Sequence, residues 1–90
     1  MNFFESAVLE KLQWIVDKKL GFQIVNIDGE SNIHESLSTL IGPFYIKEVI
    51  PEIEDLFGVM IEEVFDRFVK INDLVRYLIY ENIDIFNKEL

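Results

Sequence analysis

The chain has 90 residues and no cysteine, which excludes disulfide bonds, cysteine-ligated metals and a thiolate nucleophile. No apolar run approaches the roughly 18 residues that a membrane-spanning helix needs. The first residues also lack the basic start and long apolar stretch of a secretory signal. We therefore expect a cytoplasmic protein without a membrane partner, and the length predicts a single domain over residues 1–90.

Positive charge is also scarce, because 8 basic residues face 17 acidic ones and the net charge is −9. Such a chain repels phosphate backbones and anionic membrane surfaces, so we expect no nucleic-acid partner. The same field attracts a protein with a basic surface. An acidic surface also simply keeps a small domain soluble, so charge by itself identifies no partner.

The residues that catalysis or metal binding would require are few. His34 is the only histidine; it stands beside Glu35, and the sequence places no nucleophile near it to complete a triad. Residues 28–32 alternate oxygen ligands as a calcium loop does, but Ile33 and Thr39 occupy the places of the required glycine and glutamate. We therefore predict a protein that is not an enzyme, with no catalytic residues and no metal site.

What the chain does have is apolar residues at helical spacing. Their steps of three and four predict a first helix that ends at Leu20 and a second helix that begins near Pro43 or Phe44. Pro51 lies inside this second segment, so either the helix is kinked at Pro51 or it begins only there. A short third helix is predicted over Glu62–Val69. The closing helix is expected from about Asn72, a good N-cap residue. One buried stripe is predicted on the first helix, with Trp14 at its edge and these members: Phe4, Val8, Leu12, Ile15 and Val16.

These elements predict an all-α fold, a small four-helix bundle with a long loop between helices 1 and 2, roughly from Leu20 to Leu40. Leucine and isoleucine stripes of this kind build many unrelated bundles. The stripes therefore leave open which bundle this is.

Three segments in order resemble the acyl carrier protein family. Residues 47–58, Lys-Glu-Val-Ile-Pro-Glu-Ile-Glu-Asp-Leu-Phe-Gly, resemble the acidic second helix of that family, which ends in Phe-Gly. Residues 35–38, Glu-Ser-Leu-Ser, are similar to the Glu-Asp-Leu-Gly that precedes the modified serine. Residues 71–78 resemble the closing helix. The resemblance implies a carrier-protein fold and the setting of fatty acid, polyketide or nonribosomal peptide biosynthesis.

The attachment position, however, holds Pro43. In the family an Asp-Ser-Leu serine opens the second helix and carries phosphopantetheine, and counting back from Phe57 in the family register reaches this proline. Proline has no hydroxyl to modify, so we predict no cofactor. The alternative is a working divergent carrier, an acyl or peptidyl carrier protein with its phosphopantetheine on Ser36 or Ser38, although Ser36 lies about seven residues too early in that register.

The resemblance also implies a docking face on the second and third helices. We predict a non-catalytic interaction module that binds a synthase, ligase or transferase with a basic surface. A small helical binding protein unrelated to carriers, such as an inhibitor, is a further alternative. The predicted docking residues are Glu48, Glu52, Asp55, Val59, Met60, Glu62 and Glu63.

Overall fold

The computed structural model describes residues 3–21 and 27–88, and for residues 82–88 the backbone only. Within them no β-strand occurs, and the one β-type pairing is an isolated bridge between Asn32 and Lys70. The predicted all-α fold is therefore confirmed as a small bundle of four helices. These are α1 (Phe3–Leu20), α2 (Ile33–Ile41), α3 (Tyr45–Phe57) and α4 (Ile71–Lys88), with a single 3₁₀ turn at Phe65–Arg67.

The predicted long loop from Leu20 to Leu40 is wrong in its second half, because α2 occupies it. The Asn32 side chain accepts a hydrogen bond from the Glu35 N–H at 2.9 Å and so caps the helix N-terminus. Ile33 and Leu37, one turn apart, are both buried. A capping residue followed by this spacing is a helix start signal, although residues 35–38 also resemble the carrier-protein element that precedes the modified serine.

The predicted third helix over Glu62–Val69 is also wrong, because only one 3₁₀ turn forms there. In contrast, α3 begins within two residues of its predicted start. It runs through Pro51 without interruption and ends at Gly58. Gly58 adopts the left-handed conformation at φ 68°, which favours glycine, and its N–H bonds the Glu54 carbonyl at 2.8 Å.

One hydrophobic core joins all four helices. Phe4 was predicted in the α1 stripe, but its side chain is 50% exposed, and Trp14 is 55% exposed. Burial of one aliphatic side chain contributes about 1.5–3 kcal/mol, so the stability of the bundle comes mainly from the buried side chains of this core. The largest fully buried side chains are Ile15, Ile33, Val49, Ile53, Ile61, Phe65, Leu74, Val75 and Leu78.

The segment before α2 is hydrogen-bonded to the start of α4. The Ile33 N–H donates to the Val69 carbonyl at 2.8 Å, and the Asn72 N–H donates to the Gly29 carbonyl at 2.8 Å. Gly29 is buried against the Asn72 side chain so closely that a Cβ atom there would overlap the amide. These bonds fix the entry to α2 relative to α4.

The predicted N-cap Asn72 lies inside α4, and Asp73, in the first turn, reaches back to the residues that precede the helix. Its Oδ2 accepts the N–H groups of Lys70 at 2.9 Å and Val69 at 3.0 Å. These bonds from Lys70 and Val69 hold the pKa of the Asp73 carboxyl below its ordinary value. Asn72 is buried instead, and its Nδ2 donates to Glu30 at 3.0 Å.

Candidate functional site

Pro43, the residue at the predicted attachment position, lies exposed in the turn between α2 and α3. The Gly42 N–H bonds the Ser38 carbonyl and so closes α2, while the Tyr45 N–H bonds the Gly42 carbonyl at 3.1 Å and opens α3. Phe44, next to Pro43, is largely exposed. The corner where the family register expects a serine therefore presents a proline and a phenylalanine.

The two alternative serines lie on α2 rather than at the start of α3. Both are half-buried. The Ser38 hydroxyl donates to the Glu35 carbonyl at 3.1 Å, a local bond typical of helix serines. The attachment of phosphopantetheine to Ser36 or Ser38 stays an untested alternative.

Two of the predicted docking carboxylates, Glu48 and Glu52, hold α3 against α1. Lys18 contacts Glu52 at 3.2 Å, and Lys19 lies 3.4 Å from Glu48 and 3.6 Å from Glu52. The hydrogen bond from Lys18, with its positive charge, lowers the pKa of the Glu52 carboxyl. Because their charge is matched within the chain, these two carboxylates contribute little to the outward field.

Glu54, which sequence reasoning did not select, organises the segment after α3. Its Oε2 accepts the Ile61 N–H at 2.8 Å and the Glu62 N–H at 3.3 Å. A carboxylate one turn before the helix-ending Gly58 is the signal that could have identified it, because such a side chain reaches the backbone beyond the glycine. These bonds hold the segment against the last turn of α3.

Met60 is 74% exposed at the centre of that segment. Its neighbours are anchored inward, because Ile61 is fully buried and Val59 packs against the core. This anchoring fixes the backbone on both sides of Met60 while its side chain faces solvent. Met60 is thus presented by an ordered segment, and its place at the apolar centre of a docking patch stays a prediction.

Carboxylates surround Met60 along the chain. Asp55, in the last turn of α3, and Glu62 and Glu63, just after Met60, are all exposed. The structure gives these three side chains no ion pair within its described residues. We call Asp55, Met60, Glu62 and Glu63 the acidic edge, and it is the part of the predicted docking face whose negative charge remains unmatched.

His34 belongs to α2, not to a loop. Its Nδ1 lies 2.7 Å from the Tyr45 hydroxyl, and its ring meets Phe65 edge-on with the ring centres 5.4 Å apart. This contact ties α2 to α3 and to the 3₁₀ turn. The residues that the structure describes bring no three histidine, aspartate or glutamate side chains together as metal ligands.

No family model, curated protein or solved structure matches this chain. Across residues 3–21 and 27–88, no helix combines the length and apolar character needed to cross a bilayer.

Proposed function

We propose that this chain is a carrier-protein-like interaction module without catalytic activity. It docks through the acidic edge on a synthase, ligase or transferase that has a basic surface, and it carries no phosphopantetheine. The proposal narrows the face predicted from sequence, because the carboxylates of Glu48 and Glu52 are matched by lysines of α1. The remaining negative charge lies at the end of α3 and in the segment after it.

One observation carries this proposal: Met60 is exposed on a segment that Glu54 and Ile61 hold in place, and exposed carboxylates without an ion pair in the described residues precede and follow it in the chain. Docking sites combine an apolar anchor at the centre with charges around it, since the anchor contributes affinity and the charges contribute orientation and association rate. An ordered segment also loses less conformational entropy on binding than a loose loop. A surface that served only solubility would need neither the exposed methionine nor its fixed frame.

The absence of an arm is inferred from Pro43 at the α2–α3 corner. The test is the intact mass of the chain after incubation with coenzyme A and a broad-specificity phosphopantetheinyl transferase. We expect no change in mass. A gain of one phosphopantetheine would contradict the proposal, and its loss in Ser36→Ala or Ser38→Ala would establish the working-carrier alternative and locate the arm.

The docking surface is tested with matched charge reversals on a partner recovered by affinity capture and then purified. Glu62→Lys/Glu63→Lys should weaken binding and reduce its dependence on salt concentration, because two carboxylates leave the acidic edge. Glu35→Lys/Glu81→Lys changes the net charge by the same amount at exposed positions outside the edge. Equal losses in the two double variants would show that the net charge acts, rather than a localised surface.

The apolar centre has its own matched pair of variants. Met60→Ala removes the exposed side chain at the centre of the acidic edge, whereas Val69→Ala shortens another exposed apolar side chain elsewhere. We expect Met60→Ala to raise the dissociation constant by about tenfold or more, as anchor residues do, and Val69→Ala to have little effect. An unrelated helical inhibitor that binds through a different face would show no such difference.

A further inference from the structure

Met60 carries the only sulfur atom within residues 3–21 and 27–88, and that sulfur lies at the surface. The chain has no cysteine and two methionines, of which Met1 lies outside the described residues. The Met60 side chain is 74% exposed. Since no cysteine thiolate competes for an oxidant, the Met60 thioether is the group on the described surface that a hydroperoxide attacks first.

Oxidation of Met60 needs no co-reactant other than a hydroperoxide, such as hydrogen peroxide. The sulfur lone pair attacks one peroxide oxygen, so that a sulfur–oxygen bond forms and the oxygen–oxygen bond breaks. The sulfur loses two electrons to the peroxide, whose second oxygen leaves with both protons as water. The side chain becomes methionine sulfoxide, which is polar where the thioether was apolar.

The surroundings of Met60 separate this oxidation from the stability of the fold. The next residue, Ile61, is fully buried, and its N–H donates to the Glu54 carboxylate at 2.8 Å. Met60 itself does not belong to the hydrophobic core. A sulfoxide at this position keeps its hydrogen bonds to water and buries no polar group. The chain should therefore remain folded, and its acidic edge should remain in place, after the oxidation.

The docked state is affected differently, and this step rests on the proposed function, in which Met60 is the apolar centre of the acidic edge. A sulfoxide pressed into an apolar pocket of the partner loses its hydrogen bonds to water, and an unpaired buried acceptor is unfavourable. We propose that oxidation of Met60 to methionine sulfoxide is a redox switch that releases this chain from its partner without unfolding it.

The switch should act on dissociation more than on association. The carboxylates of Asp55, Glu62 and Glu63 are untouched by the oxidation, so the electrostatic attraction that sets the association rate is retained. Loss of the apolar anchor raises the dissociation rate instead. The oxidised chain should therefore bind as fast as the reduced chain and leave about tenfold faster.

The exposure of Met60 also makes the switch reversible. Methionine sulfoxide reductases, one for each sulfur epimer, act on an accessible sulfoxide. The sulfoxide oxygen leaves as water, and the two electrons come from a dithiol of the reductase, which becomes a disulfide. In the complex the partner covers Met60, so the bound chain should be oxidised more slowly than the free chain.

The oxidation itself is tested on the chain alone. Hydrogen peroxide at a concentration that converts free methionine should add one oxygen atom to Met60, as located by peptide mass mapping. The urea midpoint of the oxidised chain should equal that of the untreated chain. Met60→Leu keeps an apolar side chain of similar volume without sulfur, and it reports any oxidation at Met1. A Met60 that resists the peroxide, or a lowered urea midpoint, would overturn the proposal.

The switch is tested by stopped-flow kinetics with the purified partner. The oxidised chain should dissociate about tenfold faster with an unchanged association rate, and treatment with both reductases should restore the original rate. Peroxide treatment of Met60→Leu should leave its binding unchanged. If the sulfoxide binds as tightly as the thioether while Met60→Ala binds weakly, the switch is refuted and the docking surface stands. If neither change weakens binding and the partner does not protect Met60 from peroxide, the docking surface fails and the switch fails with it.

Discussion

Replacing Glu54 with alanine tests whether its carboxylate holds the segment after α3, which carries the acidic edge, against the helix. The carboxylate accepts the Ile61 N–H at 2.8 Å, a short bond to a charged acceptor, and the Glu62 N–H at 3.3 Å, a longer and weaker one. A hydrogen bond to a charged group contributes about 1.5–3 kcal/mol, and half exposure of Glu54 reduces this. We therefore expect Glu54→Ala to lower the free energy of unfolding by about 1.5 kcal/mol.

Urea unfolding followed by far-ultraviolet circular dichroism measures the change. The midpoint should fall while the slope with urea stays constant, since the same surface is exposed on unfolding. In thermal unfolding the expected loss is about 6–12 °C for a domain of this size. Asp55→Ala is the matched control, because it removes the same charge from the adjacent exposed position and should stay within about 0.5 kcal/mol. Equal destabilisation by the two variants would show that the hydrogen bonds of Glu54 to the segment after α3 do not stabilise the fold.

Two further changes test how α4 begins. Gly29→Ala should lower the free energy of unfolding by at least about 1–3 kcal/mol in urea, because the new Cβ overlaps the buried Asn72 amide. Gly21→Ala is the control: its Cβ has open space, so only the strain of alanine at a positive φ lowers the stability. Asp73→Ala should cost about 0.5–2 kcal/mol at neutral pH, because the N–H groups that precede α4 lose their acceptor. Since the folded-state pKa of Asp73 is lowered, its contribution is complete above its unfolded pKa near 3.8 and disappears as pH falls through the lower folded value. The difference in the free energy of unfolding between Asp73→Ala and the unaltered chain should therefore become smaller below about pH 4. A difference that stays constant with pH would contradict a stabilising role of the ionised Asp73 carboxylate.

Helical spacing predicted the fold class because burial follows the three- and four-residue pattern directly. α1, α3 and the start of α4 lie within a few residues of their predictions. The pattern does not show where a helix begins or ends when side chains form hydrogen bonds with nearby backbone N–H groups. Thus Asn32 starts α2 inside the predicted loop, and the segment after Gly58 forms one 3₁₀ turn rather than a third helix.

The candidate site was only partly predictable for a related reason. The positions of Met60 and Glu62 follow from the sequence, but whether a carboxylate is matched depends on which helices meet. Glu48 and Glu52 face two lysines of α1 that lie some thirty residues earlier, and spacing within α3 carries no information about that contact. Phe4 fits the predicted stripe by spacing, yet it lies at the end of α1 beyond full coverage by the core.

Competition with a genuine carrier protein tests most directly whether this chain docks as a carrier does without carrying an arm. The rate at which a broad-specificity phosphopantetheinyl transferase loads the genuine carrier is measured with increasing amounts of this chain. We expect competitive inhibition that weakens with added salt, is lost in Glu62→Lys/Glu63→Lys and is retained in Glu35→Lys/Glu81→Lys, while the mass of this chain stays constant. No inhibition at concentrations far above those of the carrier, or transfer of phosphopantetheine onto this chain, would contradict the proposal.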